Sequence, residues 1–104
     1  MKEYCVVMTT FENEQKAQPL IDTILEKKLA ACVQVININS HYSWNNSICH
    51  DKEVLVLFKT KTALYESLQQ IIMSGHPYET PEILQLPVLN GLQKYLKWID
   101  EVTC

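Results

Sequence analysis

The chain contains no arginine: all nine of its basic residues are lysines, scattered along 104 positions. Without guanidinium forks or a basic stripe a surface cannot track phosphates or read base edges, and the net charge of −3 also points away from nucleic acid. Glycine is almost as scarce. With only Gly75 and Gly91 there is no Gly-rich phosphate loop, and no G-x-S-x-G elbow is present. The four cysteines, Cys5, Cys32, Cys49 and Cys104, show no C-x-x-C spacing, which removes the usual signs of structural zinc and dithiol redox work. No apolar run approaches the ~20 residues of a transmembrane helix. Met1-Lys2-Glu3 leads into an apolar segment that ends by Thr9, too short for a signal-peptide core and without a cleavage pattern, so a cytoplasmic protein with reduced thiols is expected. No nucleophile stands beside an evident base, so the chain reads as a non-enzyme with no catalytic residues and no obligatory cofactor.

What the chain does have is apolar material: 47% of it is hydrophobic, with two Trp and five Tyr. One domain, residues 1–104, is expected, and at this length folding buries only ~65% of the unfolded chain's surface, so such a composition hints at a subunit interface. Tyr4 to Thr9 reads as a strand that is central or covered on both faces. Ala17, Leu20, Ile21, Ile24, Leu25 and Lys28 then recur at three- and four-residue steps, the mark of an amphipathic helix N-capped by Asn13. Pro19 removes one internal hydrogen bond, so this helix should kink there or start late. Ala31 to Trp44 reads as a long strand, with Cys32 a core residue at its entrance. The segment Asn45-Asn46-Ser47 makes a tight turn, and Ile48 to Thr60 returns. A second helix, with Ala63, Leu64, Leu68, Ile71 and Ile72 on one face, is expected to be capped by Thr62 and stopped at a left-handed Gly75. A strand Ile83–Val88 and a closing helix marked by Leu92, Tyr95, Leu96, Ile99 and Val102, with Trp98 on its flank, complete the chain. The order β-α-β-β-α-β plus one helix is the split βαβ of ferredoxin-like α+β folds, an antiparallel sheet with two helices on one face.

The hairpin is too long for the body that carries it. Thirteen residues from Cys32 to Trp44 would span ~43 Å. A globule of this chain length is only ~34 Å across. An arm bearing Tyr42, Trp44 and Ile48 must therefore overhang, and it needs a second subunit to cover it.

Chemistry concentrates in His76-Pro77-Tyr78-Glu79-Thr80-Pro81-Glu82. Pro77 and Pro81 fix their own φ and push His76 and Thr80 towards extended conformations, giving a stiff frame for an imidazole, a phenol and two carboxylates. Residue types alone favour a plain turn in which Tyr78 packs and His76 caps a neighbouring backbone. Metal donors are present in His41, His50, His76, the loop carboxylates and the thiols, but no spacing among them is diagnostic. Cys49 and His50 are adjacent on a strand and should face opposite ways.

Taken together, Leu29-Ala30-Ala31-Cys32-Val33, Tyr42-Ser43-Trp44, Glu53-Val54 with Lys59-Thr60, His76 through Glu82, and Tyr95-Leu96-Lys97-Trp98 resemble the CutA family of divalent-cation tolerance proteins across almost the whole chain. The resemblance implies a cytoplasmic homotrimer of ferredoxin-like subunits, built like the PII-type signalling proteins and linked to tolerance of copper and other divalent ions. It implies metal contacts at His76 and Glu82, and a ligand cleft or interface involving Tyr42, Trp44, Tyr78, Glu79 and Trp98. A PII-like module that senses a small metabolite or binds a partner segment, with metal incidental, is the alternative. The chain departs from the family pattern at Thr9, where some members carry a cysteine, and at Asn46, where Gly is usual.

Overall fold

The computed structural model describes residues 3–104; Met1 and Lys2, part of the expected domain, lie outside the described residues. The elements in chain order are β1 (Tyr4–Phe11), α1 (Glu14–Glu26), β2 (Cys32–Trp44), β3 (Ser47–Lys61), a 3-10 turn (Thr62–Leu64), α2 (Tyr65–Gly75), β4 (Leu84–Val88) and α3 (Gln93–Val102). The strands form one sheet in the order β2-β3-β1-β4, every neighbour antiparallel, which is the expected ferredoxin-like α+β arrangement.

Because paired residues share a face, the register sorts the whole sheet. Cys5, Val7, Thr9 and Phe11 of β1 stand opposite Thr60, Phe58, Val56 and Val54 of β3, and all eight are buried. Ala17, Leu20, Ile21 and Ile24 of α1 and Leu68 and Ile72 of α2 close the core over that face. The other face carries Val6, Met8, Ile36, Leu55, Leu57, Leu84 and Leu86. It meets α3 where Lys59 Nζ lies 5.5 Å from the Tyr95 ring centre and Lys61 bonds to Asp100 at 3.2 Å.

Several local expectations change. Asn13 does cap α1, its side chain accepting from the Lys16 N–H at 2.9 Å, and the helix starts immediately after it with Pro19 inside rather than late. It ends at Glu26, so Lys28 is not a helical position. Lys28 takes φ 57° while its N–H donates to the Leu25 carbonyl and that of Leu29 to Ile24, a Schellman closure built on a non-glycine. Thr62 does not cap α2; it opens the 3-10 turn, its N–H bonded to the Glu3 carbonyl, and α2 begins at Tyr65. Gly75 is not left-handed either. It is the last residue of α2, and a Cβ there would come within 3.1 Å of Leu20 Cδ1, so close packing against α1 accounts for the glycine. Cys32 is only partly buried, because it pairs with Lys59 on the uncovered face while Val33 and Val35 turn to the core.

The hairpin turn holds Asn45 and Asn46 at φ 50° and 61°, the two positive φ values of a type I′ turn, so the returning strand starts at Ser47. The molecule measures 44 × 26 × 22 Å, its long axis matching the length of the arm.

Candidate functional site

The loop between α2 and β4 folds back on the end of β1. The His76 ring stacks on Phe11, centres 4.2 Å apart and planes 28° from parallel. Its Nδ1 accepts from the Tyr78 N–H at 3.1 Å, which puts the ring proton on Nε2, and Nε2 donates to the Thr10 carbonyl at 2.6 Å. Both nitrogens are thus engaged, and the tie to a neighbouring backbone that residue types favour is present. Burial pulls the His76 pKa below the usual imidazole value, against the opposing influence of the Thr10 carbonyl and Glu53, so the ring is neutral.

With the loop anchored there, Tyr78 reaches the arm, its hydroxyl donating to Glu53 Oε2 at 2.9 Å. Burial first and that carboxylate second raise the Tyr78 pKa. Further out, the Tyr42 hydroxyl donates to Asp51 Oδ2, and this bond pushes the phenol up to about 12. Each phenol is therefore a fixed donor that holds one carboxylate in place.

Between arm, loop and β1 lies a cleft of about 850 Å³. Of the residues expected at a site, it gathers Tyr42, Trp44, Tyr78, Glu79 and Glu82. His76 is not on its wall. Trp98 lies elsewhere, on α3, tilted against Tyr95 with ring centres 5.6 Å apart. The cleft also takes in three carboxylates not expected at a site, Glu12, Asp51 and Glu53, beside Lys52. Glu12 is paired with Lys16. A two-residue turn would have revealed Asp51 and Glu53, since it puts them on the same strand face as Tyr42 and Trp44.

Carboxylates in excess over cations give the cleft a negative potential. Among the described residues, no three His, Cys, Asp or Glu side chains converge as a preformed metal cage. No helix there is long and apolar enough to cross a membrane.

Comparison with known proteins agrees with this build. Residues 5–102 match the family described as CutA1 divalent ion tolerance protein. The divalent-cation tolerance protein CutA of Thermotoga maritima is 42% identical over 96 residues, covering 92% of this chain and 95% of the relative. Mouse Protein CutA is 42% identical over 95 residues, 90% of this chain but 54% of its own length, so the chain spans about half of such longer relatives. The crystal structure of CutA1 from Oryza sativa superposes with a TM-score of 0.93 at 34% identity, over 98% of this chain and 94% of that one. The CutA1 structure from Thermus thermophilus does so with 0.91 at 36%, over the whole of both. On a match that spans nearly every described element, the chain belongs to the CutA1 divalent ion tolerance family.

Proposed function

We propose that the chain acts as a homotrimer that binds divalent cations weakly in the acidic cleft, copper foremost, and so takes part in the cytoplasmic response to metal ions, with no chemical step of its own. The observation that carries this reading is that Asp51, Glu53, Glu79 and Glu82 all line one cleft whose phenols are already committed as donors. Oxygen donors accept Mg²⁺, Ca²⁺ and Mn²⁺, and among first-row ions they still favour Cu²⁺ by the usual order. Glu82 offers an oxygen from the cleft wall. His76 supports the site by fixing the loop that carries Glu79 and Glu82, and it becomes a ligand only if one of its two hydrogen bonds opens.

Calorimetric titration of Cu²⁺ and Mg²⁺ into wild type, Glu82→Gln and His76→Ala at neutral pH tests this. Saturable binding that weakens in Glu82→Gln supports the cleft; a loss confined to His76→Ala makes the imidazole the ligand; no saturable event with any ion rejects the reading. Light scattering tests the assembly, since a particle of 12.1 kDa is a monomer.

One observation favours a second reading. At about 850 Å³, with Tyr42, Trp44 and Tyr78 on its walls, the cleft has the size and aromatic lining of a small-molecule pocket. A cationic metabolite would then be the effector and metal incidental. Stabilisation by one such compound in a metal-free thermal-shift screen, with none by copper, would favour that role.

A further inference from the structure

On the arm, outside the carboxylate constellation, two histidines meet. His41 and His50 stand directly opposite one another in the β2–β3 ladder, equidistant from the Asn45-Asn46 turn. Both are exposed, and their Nδ1 atoms are 2.6 Å apart with ring centres at 4.8 Å and planes at 71°. Although His41 also borders the cleft, His50 does not, and the pair lies on the opposite strand face from Tyr42 and Asp51.

We propose that His41 and His50 form a two-nitrogen chelate for Cu²⁺ on the hairpin arm, separate from the oxygen donors of the cleft. Two imidazoles brought nitrogen to nitrogen can do one of two things. They can share a proton, one Nδ1–H donating to the other Nδ1, a bond that at an exposed site contributes only ~1 kcal/mol or less. Or they can turn both Nδ1 lone pairs on one ion. In the second state the ring that carried its proton on Nδ1 passes it through solvent to its own Nε2, so both rings stay neutral, no net proton is lost, and water fills the remaining coordination positions.

Geometry selects the ion. Two cis nitrogens on a tetragonal Cu²⁺, each ~2.0 Å from the metal, lie ~2.8 Å apart, whereas tetrahedral Zn²⁺ needs ~3.3 Å. From 2.6 Å the first demands an opening of about 0.2 Å and the second about 0.7 Å. The paired strands hold the two histidines opposite one another before metal arrives, so the second nitrogen binds as an intramolecular event. Asn39, Lys52, Ser43 and Ile48 flank the pair in the register. Lys52 is the one cation among them, and its charge opposes a bound cation without occupying either Nδ1.

This site does not rest on the cleft reading, and their failures are separable: removing Glu82 probes the cleft, whereas removing either histidine probes the arm. The experiment is a Cu²⁺ titration of the full chain in a non-coordinating buffer, followed by calorimetry and by electron paramagnetic resonance. The wild-type spectrum should show coupling to two imidazole nitrogens. His41→Ala and His50→Ala should each weaken the tightest copper event about tenfold or more, the double variant should abolish it, and Glu82→Gln should leave the event in place. His50→Gln, which keeps a polar side chain of similar length, guards against a variant that merely distorts the arm and should lose copper in the same way. Copper binding at wild-type strength in either single variant, or a wild-type spectrum without nitrogen coupling, overturns the proposal.

Discussion

The same strands present two faces that share an apolar character and differ in their cover. Towards the helices, Val7, Val56 and Phe58 have no exposed surface at all. On the other side Ile36, Leu84 and Leu86 remain 48%, 54% and 45% exposed. Alternation along a strand normally sends polar residues to an open face. Here Val6, Met8, Leu55 and Leu57 occupy it instead, and α3 meets it at Lys59. A face with core composition and surface exposure lacks a covering layer, and a second copy of the chain is the cover that the proposed homotrimer supplies. The overhanging arm has the same need, with Trp44 48% and Ile48 74% exposed.

The largest effect should come from breaking the sealed face. Phe58→Ala removes a fully buried ring packed among core side chains, and the cavity should cost ~3–5 kcal/mol, read as a lower denaturation midpoint. On the open face Ile36→Lys should leave the subunit fold nearly intact, since β2 is an edge strand where lysine is well tolerated. It should instead break the assembly, and Trp44→Ser on the arm should weaken it by ~2 kcal/mol, the scale of an aromatic anchor at an interface. Dilution series by light scattering check both. If the subunits stay associated in Ile36→Lys, the open face is not where they meet.

Much of this contrast is legible in the sequence and some is not. Periodicity of two and of 3.6 suffices for element order, for Asn13 as a cap, and for a hairpin whose length outruns the body. Which face of β2 is buried is not, because Cys32 and Ile36 are as apolar as Val33 and Val35, and only the pairing with β3 decides. The same holds at the cleft. Tyr78 and Glu82 can be picked out by their prolines, but Asp51 and Glu53, and the meeting of His41 with His50, depend on the register. That register is set by a two-residue turn, and starting the returning strand at Ile48 rather than Ser47 loses it. Gly75 misleads for a different reason: the residue type signals a left-handed stop, while the chain uses it for close packing that no local pattern reveals.

His76 sits where the sealed side meets the cleft, and its removal should have the next effect. His76→Ala loses the stack on Phe11 and both hydrogen bonds of the loop anchor, which should lower stability by ~1–3 kcal/mol. The pH dependence carries the sign of the shift. Burial depresses the folded pKa, so below the unfolded value of ~6.5 the unfolded chain takes up the proton first, and stability falls as pH drops through that window towards the folded pKa. Melting curves from neutral to mildly acidic pH should therefore show a steeper loss in wild type than in His76→Ala. Parallel slopes would mean that the folded pKa of His76 is the same as the unfolded one, contrary to the burial of the ring.

The smallest effect tests a flaw in the sealed face itself. Thr9 is fully buried opposite Val56, and among the described residues its Oγ1 has no hydrogen-bond partner. A hydroxyl stripped of water without a partner costs ~1–3 kcal/mol, and its neighbours are the apolar side chains of the core. Thr9→Val replaces that hydroxyl by a methyl of nearly the same shape and keeps the β-branch that suits a strand, so it should stabilise the protein by ~1 kcal/mol. Thr9→Ser keeps the orphan oxygen and deletes the methyl, so it should destabilise by a similar amount through the small cavity it leaves. The pair of variants separates polarity from packing: a gain with Val and a loss with Ser assigns the cost to the unpaired oxygen. Loss in both would show that the hydroxyl finds a partner in solution, and the sealed face would then be as well satisfied as it is well packed.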